Sequence, residues 1–162
     1  MAIYYGLNNE TELSSSIRRA CEIVNPKNVP VSIKFLSEIA AAESAMATFR
    51  DNHYEQGKGV FQHDSIGFFD VKTRIMNYNV LIAKRIYDET NIDLEKVTFE
   101  ELDYSPLLSA LFCRMSIYLI PHAIPKTRIQ RAKMWKTFYN SKLGKGTVEH
   151  YMQQSLKFIG EE

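Results

Sequence analysis

No stretch of this sequence is apolar for long enough to cross a bilayer. The longest apolar runs, such as LIPHAIP, stop far short of the roughly 20 residues a spanning helix requires. The opening residues, MAIYYGLNNETELSSS, lack the basic start and apolar run of an export signal, so none is expected. Surplus charge is missing too: 20 basic against 19 acidic side chains leave a formal charge of +1. A chain built to hold nucleic acid or to adhere to an anionic membrane would carry a basic excess, and neither partner is expected. Cysteine is scarce. Cys21 and Cys113 lie far apart, each in a helical-looking stretch among apolar residues, and read as reduced core thiols rather than a disulfide. No paired-cysteine or cysteine–histidine spacing suggests zinc, so neither a metal nor a cofactor is expected. Strand-like alternation is rare, and no repeat, low-complexity tract or composition break marks a second domain.

What remains is helical periodicity, in a chain whose 162 residues and 45% apolar content suit one domain over 1–162 with one core. ETELSSSIRRACEIVN places Leu13, Ile17, Ala20, Cys21 and Val24 at the spacing of an amphipathic helix, and Pro26 ends it. A second helix starts near Pro30, where proline is tolerated in the first turn. Along it Ile33, Leu36, Ile39, Ala40 and Glu43 share a face. From Arg50 to Val71 an aromatic-polar mix with Gly57, Gly59 and Gly67 shows no helical period and predicts a loop or short hairpin. Helical spacing returns over VKTRIMNYNVLIAKRIYDET, through Ile75, Asn79, Ile82 and Ile86. NIDLEKVTFEELDYSP is a polar connector with room for a short helix. LLSALFCRMSIYLIP is apolar nearly all round and predicts a central, buried helix. RIQRAKMWKTFYNS is helical, KLGKG is a glycine loop, and Thr147 is placed to cap a last helix through VEHYMQQSLKFIG. The expected fold is mostly α, about six to eight helices with a small irregular or hairpin lobe after the second.

One residue breaks the apolar stripe of that second helix. A glutamate in a dry position is costly to ionise, so burial raises its pKa. A carboxyl kept protonated near neutrality can donate a proton to a leaving group, which glycoside cleavage needs. The plain alternative is that Glu43 lies just past the buried turn, solvated or paired with an arginine.

The residues after Glu43 sharpen the question. Glu43-Ser44 closes the helix, and Gly59-Val60-Phe61-Gln62 follows across a loop. NVLIAKRIY then supplies Asn79, Val80, Ala83, Ile86 and Tyr87. In order and separation these blocks resemble the lysozyme-like superfamily, the lytic transglycosylases and goose-type lysozymes of bacteriophage type, whose fold is mostly α with a small β element. The likeness runs from about Ile33 to Tyr87, with Phe61 where the family usually has methionine. It implies that Glu43 is the catalytic acid, that Gln62 lines the sugar cleft, and that Ser44 positions substrate or loop. Phe61, with Tyr54 and His53, would form cleft walls or simply pack the lobe. The family also carries an Ala-Tyr-Asn-Ala-Gly block whose tyrosine contacts the catalytic glutamate. That block is missing from LLSALFCRMSIYLIP, so Tyr118 or Tyr104 takes its place or the contact is absent.

Two reaction outcomes stay open. A transglycosylase needs only the one glutamate, acting as acid and then base while the substrate's 6-hydroxyl closes an anhydro ring. An inverting lysozyme needs a second carboxylate to activate water. Goose-type enzymes place an aspartate two residues after the glutamine, where this chain has Asp64, which favours hydrolysis. Asp51 and Glu55 are further candidates, and an N-cap or a solvated charge is the plain role for Asp64. Arg114, on an otherwise apolar helix, is expected to be paired or to snorkel. The tail WKTFYNSKLGKGTVEHYMQQ resembles the ends of small phage muralytic domains. Trp135, Phe138 and Tyr151 there would equally serve as core packing, with Asn140 and Lys145 as candidates to face the cleft.

These readings together predict a monomeric, phage-type muramidase cutting the bond between N-acetylmuramic acid and N-acetylglucosamine in the peptidoglycan glycan strand. It would leave the host cytoplasm through a holin pore or travel in the virion. From another class, the chain would be a virion structural or assembly protein that keeps the fold without turnover. A plain helical interaction domain accounts for the periodicity but not for the spaced blocks.

Overall fold

A computed structural model describes residues 2–50, 57–140 and 145–162. Over these residues the chain is mostly helical and forms one domain without a strand. The helices are α1 (Glu10–Val24), α2 (Val29–Ser44), α3 (Ser65–Tyr78), α4 (Val80–Thr90), α5 (Pro106–Tyr118), α6 (Arg128–Met134) and α7 (Val148–Phe158). A 3-10 turn, Phe99–Asp103, precedes α5, and a π turn, Trp135–Tyr139, continues α6.

The helix starts follow local chemistry. The Asn9 side chain accepts from the Glu12 amide at 3.0 Å and caps α1. Pro30 sits in the first turn of α2. Ser105 accepts from the Leu108 amide at 3.1 Å, with Pro106 opening α5. Thr147 caps α7 by accepting from the His150 amide at 3.0 Å, as the sequence predicts. Each such cap contributes about 1 kcal/mol. α5 is the central helix. Leu108, Leu111, Phe112, Met115 and Ile117 are all buried on it, and it packs against α1, α2 and α3. Each fully buried side chain of this size contributes roughly 1.5–3 kcal/mol over an exposed one. Cys21 and Cys113 are both free and buried.

Two boundaries differ from the sequence expectation. The irregular segment ends at Asp64, not Val71: α3 begins at Ser65, and Phe68, Val71 and Ile75 form its buried stripe. Gly67 in the first turn and the exposed Ile66 and Phe69 hide that period in the sequence. The long helix expected through Asn79 is two helices, because Asn79 leaves helical geometry (φ −136°, ψ 48°). The lobe after α2 holds a single antiparallel bridge among the described residues, Lys58 to His63. Gly59 pins it to the rest of the domain. Its φ is +77°, its amide donates to Asp103 Oδ1 at 2.8 Å, and a Cβ there would stand 2.6 Å from the Leu102 carbonyl oxygen.

α2 is held from the far end of the chain by an acid the sequence reading passed over. Glu38 is 1% exposed. Its carboxylate accepts from Arg131 at 2.7 and 2.8 Å, from Arg128 Nε at 2.9 Å and from the Tyr151 hydroxyl at 2.7 Å. This knot joins α2, α6 and α7. No helix among the described residues is long and apolar enough to cross a membrane.

Candidate active site

α2 ends in an unusual turn. Ala45, Met46 and Ala47 all take left-handed backbone angles, with φ of 50°, 55° and 66°. Such a conformation costs an L-residue roughly 1–2 kcal/mol, so neighbouring contacts must hold it. Ser44 Oγ donates to the Ala40 carbonyl at 3.2 Å and accepts from the Ala47 amide at 3.0 Å. The Met46 amide reaches the Ala40 carbonyl at 3.1 Å, and the Tyr4 amide reaches the Ala47 carbonyl at 2.9 Å. His150 Nε2 bonds the Ala42 carbonyl at 2.8 Å, satisfying a carbonyl of the last helical turn. The chain therefore turns away immediately after Glu43.

Glu43 is half-buried and faces the π turn. Trp135 Nε1 donates to its Oε1 at 2.9 Å, and the Asn140 side chain bonds it as well. Both partners are neutral, and no cation among the described residues pairs with it. Burial pushes its pKa up to about 7, against the downward pull of the two hydrogen bonds. Near neutrality the carboxyl is thus shared between acid and anion, as a group that gives and later takes a proton must be.

The donors are positioned by packing. The Asn140 amide closes the π turn on the Trp135 carbonyl at 2.8 Å. Lys136 Nζ donates to Asn140 Oδ1 at 3.0 Å, leaving the amide's donor end for Glu43. Gly146 lies against both: a Cβ there would overlap the Trp135 ring and come within 2.9 Å of Asn140 Nδ2. Trp135 is 1% exposed and packs on Tyr151 with ring centroids 5.3 Å apart.

Next to Asn140, Tyr139 looks the other way. Its hydroxyl donates to the Phe61 carbonyl at 2.7 Å. It lines a cavity of about 330 Å³ together with Gln62, His63, Asp64 and Phe138. The Tyr139 hydroxyl is held protonated by burial, with the nearby Cys113 and Glu43 adding to the effect. Burial pushes His63 down to about 4, against a hydrogen bond to the Ser109 backbone and the Asp64 charge, so its ring is neutral at pH 7. Gln62 adopts φ +51°. Its Nε2 donates to the Gly59 carbonyl at 2.9 Å and to the Tyr5 hydroxyl at 3.1 Å, leaving Oε1 as the atom it offers. Glu43 does not line this cavity; the dipeptide Tyr139–Asn140 lies between the two, Tyr139 on the cavity and Asn140 beside Glu43.

The residues singled out in the sequence fare unequally. Glu43 is shielded and hydrogen-bonded, and Gln62 lines a cavity. Asp64 lines the same cavity while its Oδ1 accepts from the Gly67 amide at 2.6 Å as the cap of α3. Three substrate contacts need correction. Phe61 is 0% exposed, so its ring packs the core and offers no cleft wall. Ser44 is buried with its hydroxyl engaged in the turn, so it positions the chain and not a ligand. Tyr118 lines a different cavity beside Arg114, and Tyr104 is 73% exposed at the end of the 3-10 turn. Phe138, expected in the core, is half exposed on the Gln62 cavity. Lys145 is exposed. Arg114, expected to be paired, is buried with no hydrogen-bond partner at Nε. Asp51, His53, Tyr54 and Glu55 lie outside the described residues. Asn140, a sequence candidate to face the cleft, stands beside Glu43, and Trp135, expected as core packing, also donates to it. The Trp-Lys-x-x-Tyr-Asn block carries both residues, but its spacing alone does not connect them to Glu43.

Comparison with models of known protein families, with curated proteins and with solved structures finds no match to this chain.

Proposed function

We propose that the protein cleaves the β-1,4 bond between N-acetylmuramic acid and N-acetylglucosamine in peptidoglycan, with Glu43 as general acid, as a phage-type muralytic enzyme. One observation carries the reading: a half-dry carboxyl with two neutral donors, no paired cation among the described residues and a pKa near 7. Protonated, Glu43 gives its proton to the departing sugar oxygen. As the anion it then takes a proton from the 6-hydroxyl of the muramic acid as the anhydro ring closes; in an inverting hydrolysis a second carboxylate takes the proton of the water instead. Gln62 Oε1 is suited to accept from an acetamido N–H, and Phe138 and Tyr139 give apolar surface for a sugar face. Asp64, exposed on the same cavity, is the group available to activate water.

The test is clearing of purified peptidoglycan in a gel, wild type beside Glu43→Gln. Loss by a factor of at least about a hundred is expected, and equal clearing removes Glu43 from the mechanism. Mass spectrometry of the fragments separates anhydro from reducing ends. If the ends are reducing, Asp64→Asn should lower the rate, and an unchanged rate leaves Asp64 as a helix cap. The second reading, a virion structural protein without turnover, is favoured by Gln62 directing both amide protons into its own loop and Tyr5. Absence of clearing by the folded wild type would support it.

A further inference from the structure

Arg114 is 3% exposed on the central helix, and its Nε has no hydrogen-bond partner. No carboxylate among the described residues pairs with it. Buried guanidinium groups are ordinarily matched to an anion, because an unmatched buried charge is costly. The other buried arginines of this chain obey that rule: Arg128 and Arg131 both bind Glu38. Arg114 instead lines a second cavity, of about 540 Å³, between the α1–α2 junction, the end of α5 and the connector to α6.

The electrostatics of this cavity are one-sided. Lys27, His122 and Lys126 line it with Arg114, and among the described residues no aspartate or glutamate does. The first turn of α2 lines it too, through Pro30, Val31 and Ser32. That helix start has no side-chain cap and no acidic residue in its first turn, so its partial positive charge is unanswered. Ile117, Ile120 and Ile124 give the cavity its apolar wall, and Asn25, Asn28 and Tyr118 add neutral polar groups. A volume of this size is in the range of small-molecule sites.

We propose that this cavity binds a small amphiphilic oxyanion, a carboxylate or phosphate monoester on an apolar body. The oxyanion completes the hydrogen bonding of Arg114, whose planar fork suits two oxygens at once. The hydrocarbon part lies against the three isoleucines. Burial lowers the Arg114 pKa, so an arriving anion also relieves a strained charge. The inference does not depend on the cleavage reading, since it uses neither Glu43 nor Gln62, although Ile120 lines both cavities.

The experiment is an NMR shift titration of the full chain at fixed ionic strength with benzoate, phenyl phosphate, inorganic phosphate and benzyl alcohol. Benzoate and phenyl phosphate should saturate in the millimolar range or below, with shifts at Ile117, Tyr118 and Ile124, which line this cavity and not the one at Gln62. Inorganic phosphate and benzyl alcohol should bind at least about tenfold more weakly, since each lacks one half of the match. Arg114→Met should abolish saturable binding and melt at or above the wild-type temperature, because it removes an unmatched charge. Lys126→Ala, at an exposed site, should weaken binding about two- to fivefold. The proposal fails if no probe saturates, if benzyl alcohol or inorganic phosphate binds as well as the amphiphiles, or if Arg114→Met retains the affinity. It fails equally if Arg114→Met melts well below the wild type, which would give Arg114 a structural partner.

Discussion

α2 carries two shielded acids five residues apart, and the molecule treats them in opposite ways. Glu38 meets two arginines and a tyrosine, so its charge is answered on every side. Glu43 meets an indole and an amide. Neutral donors stabilise an anion only in part, and burial prevails. Depth within the fold therefore does not decide what a carboxyl does; the formal charge of its donors does. The first acid joins helices, and the second is left with a proton to exchange.

The sharpest way to break this contrast is at the first acid. Glu38→Gln leaves the buried Arg128 guanidinium without its anion and Arg131 with only the more exposed Glu162, which costs about 3–5 kcal/mol. Circular-dichroism melting at pH 7 should show a fall on the order of 10 °C for a chain of this length.

The same substitution at the second acid should act in the opposite direction, and only at high pH. The folded pKa of Glu43 is about 7 against an ordinary 4.5. The folded state thus keeps a proton that the unfolded chain releases. Stability is lost as pH rises from about 4.5 through 7, by up to about 3 kcal/mol once both states are ionised. Glu43→Gln escapes that loss. At pH 8 it should melt several degrees above the wild type, and at pH 4 the two should coincide. His63 acts with the reverse sign. Its folded pKa is depressed to about 4, so its contribution is present above 6.5 and disappears as pH falls through 4, equally in both proteins. A lower melting temperature for Glu43→Gln at pH 8 would mean that the acid has a cationic partner.

The smallest effect sharpens the comparison from the donor side. Asn140→Ala removes one hydrogen bond that favours the Glu43 anion. The carboxyl midpoint, followed by carbon-detected NMR, should move upward by about one unit. A downward shift would mean that Asn140 acts on Glu43 mainly by excluding water.

Much of this arrangement could be read from the chain, for identifiable reasons. Glu43 stood out because a charge on an apolar stripe is a local anomaly. Pro30 and Thr147 mark helix starts by rules that involve neighbours only. Glu38 looked like any helical glutamate, because its partners come from Arg128, Arg131 and Tyr151, at least 90 residues away. The inward direction of Phe61 was equally hidden, since the irregular segment between α2 and α3 has no period from which a buried face can be read. The backbone angles of Asn79 break a helix that a good apolar pattern would continue, whereas Gly67 obscures the start of α3 in the sequence without preventing it. Arg114 was noticed as an anomaly, but its lack of a partner appears only when every neighbouring side chain is in place.

The π turn between Trp135 and Asn140 has a consequence for how this protein can vary. Residues five apart on an ordinary α-helix point roughly 140° away from each other around the axis, too far round to share one carboxyl. The wider turn brings the indole and the amide onto the same side. The affinity of Glu43 for a proton is therefore set partly by the winding of one backbone turn. Regularising that turn at unchanged length would leave the side-chain chemistry intact and still separate the two donors.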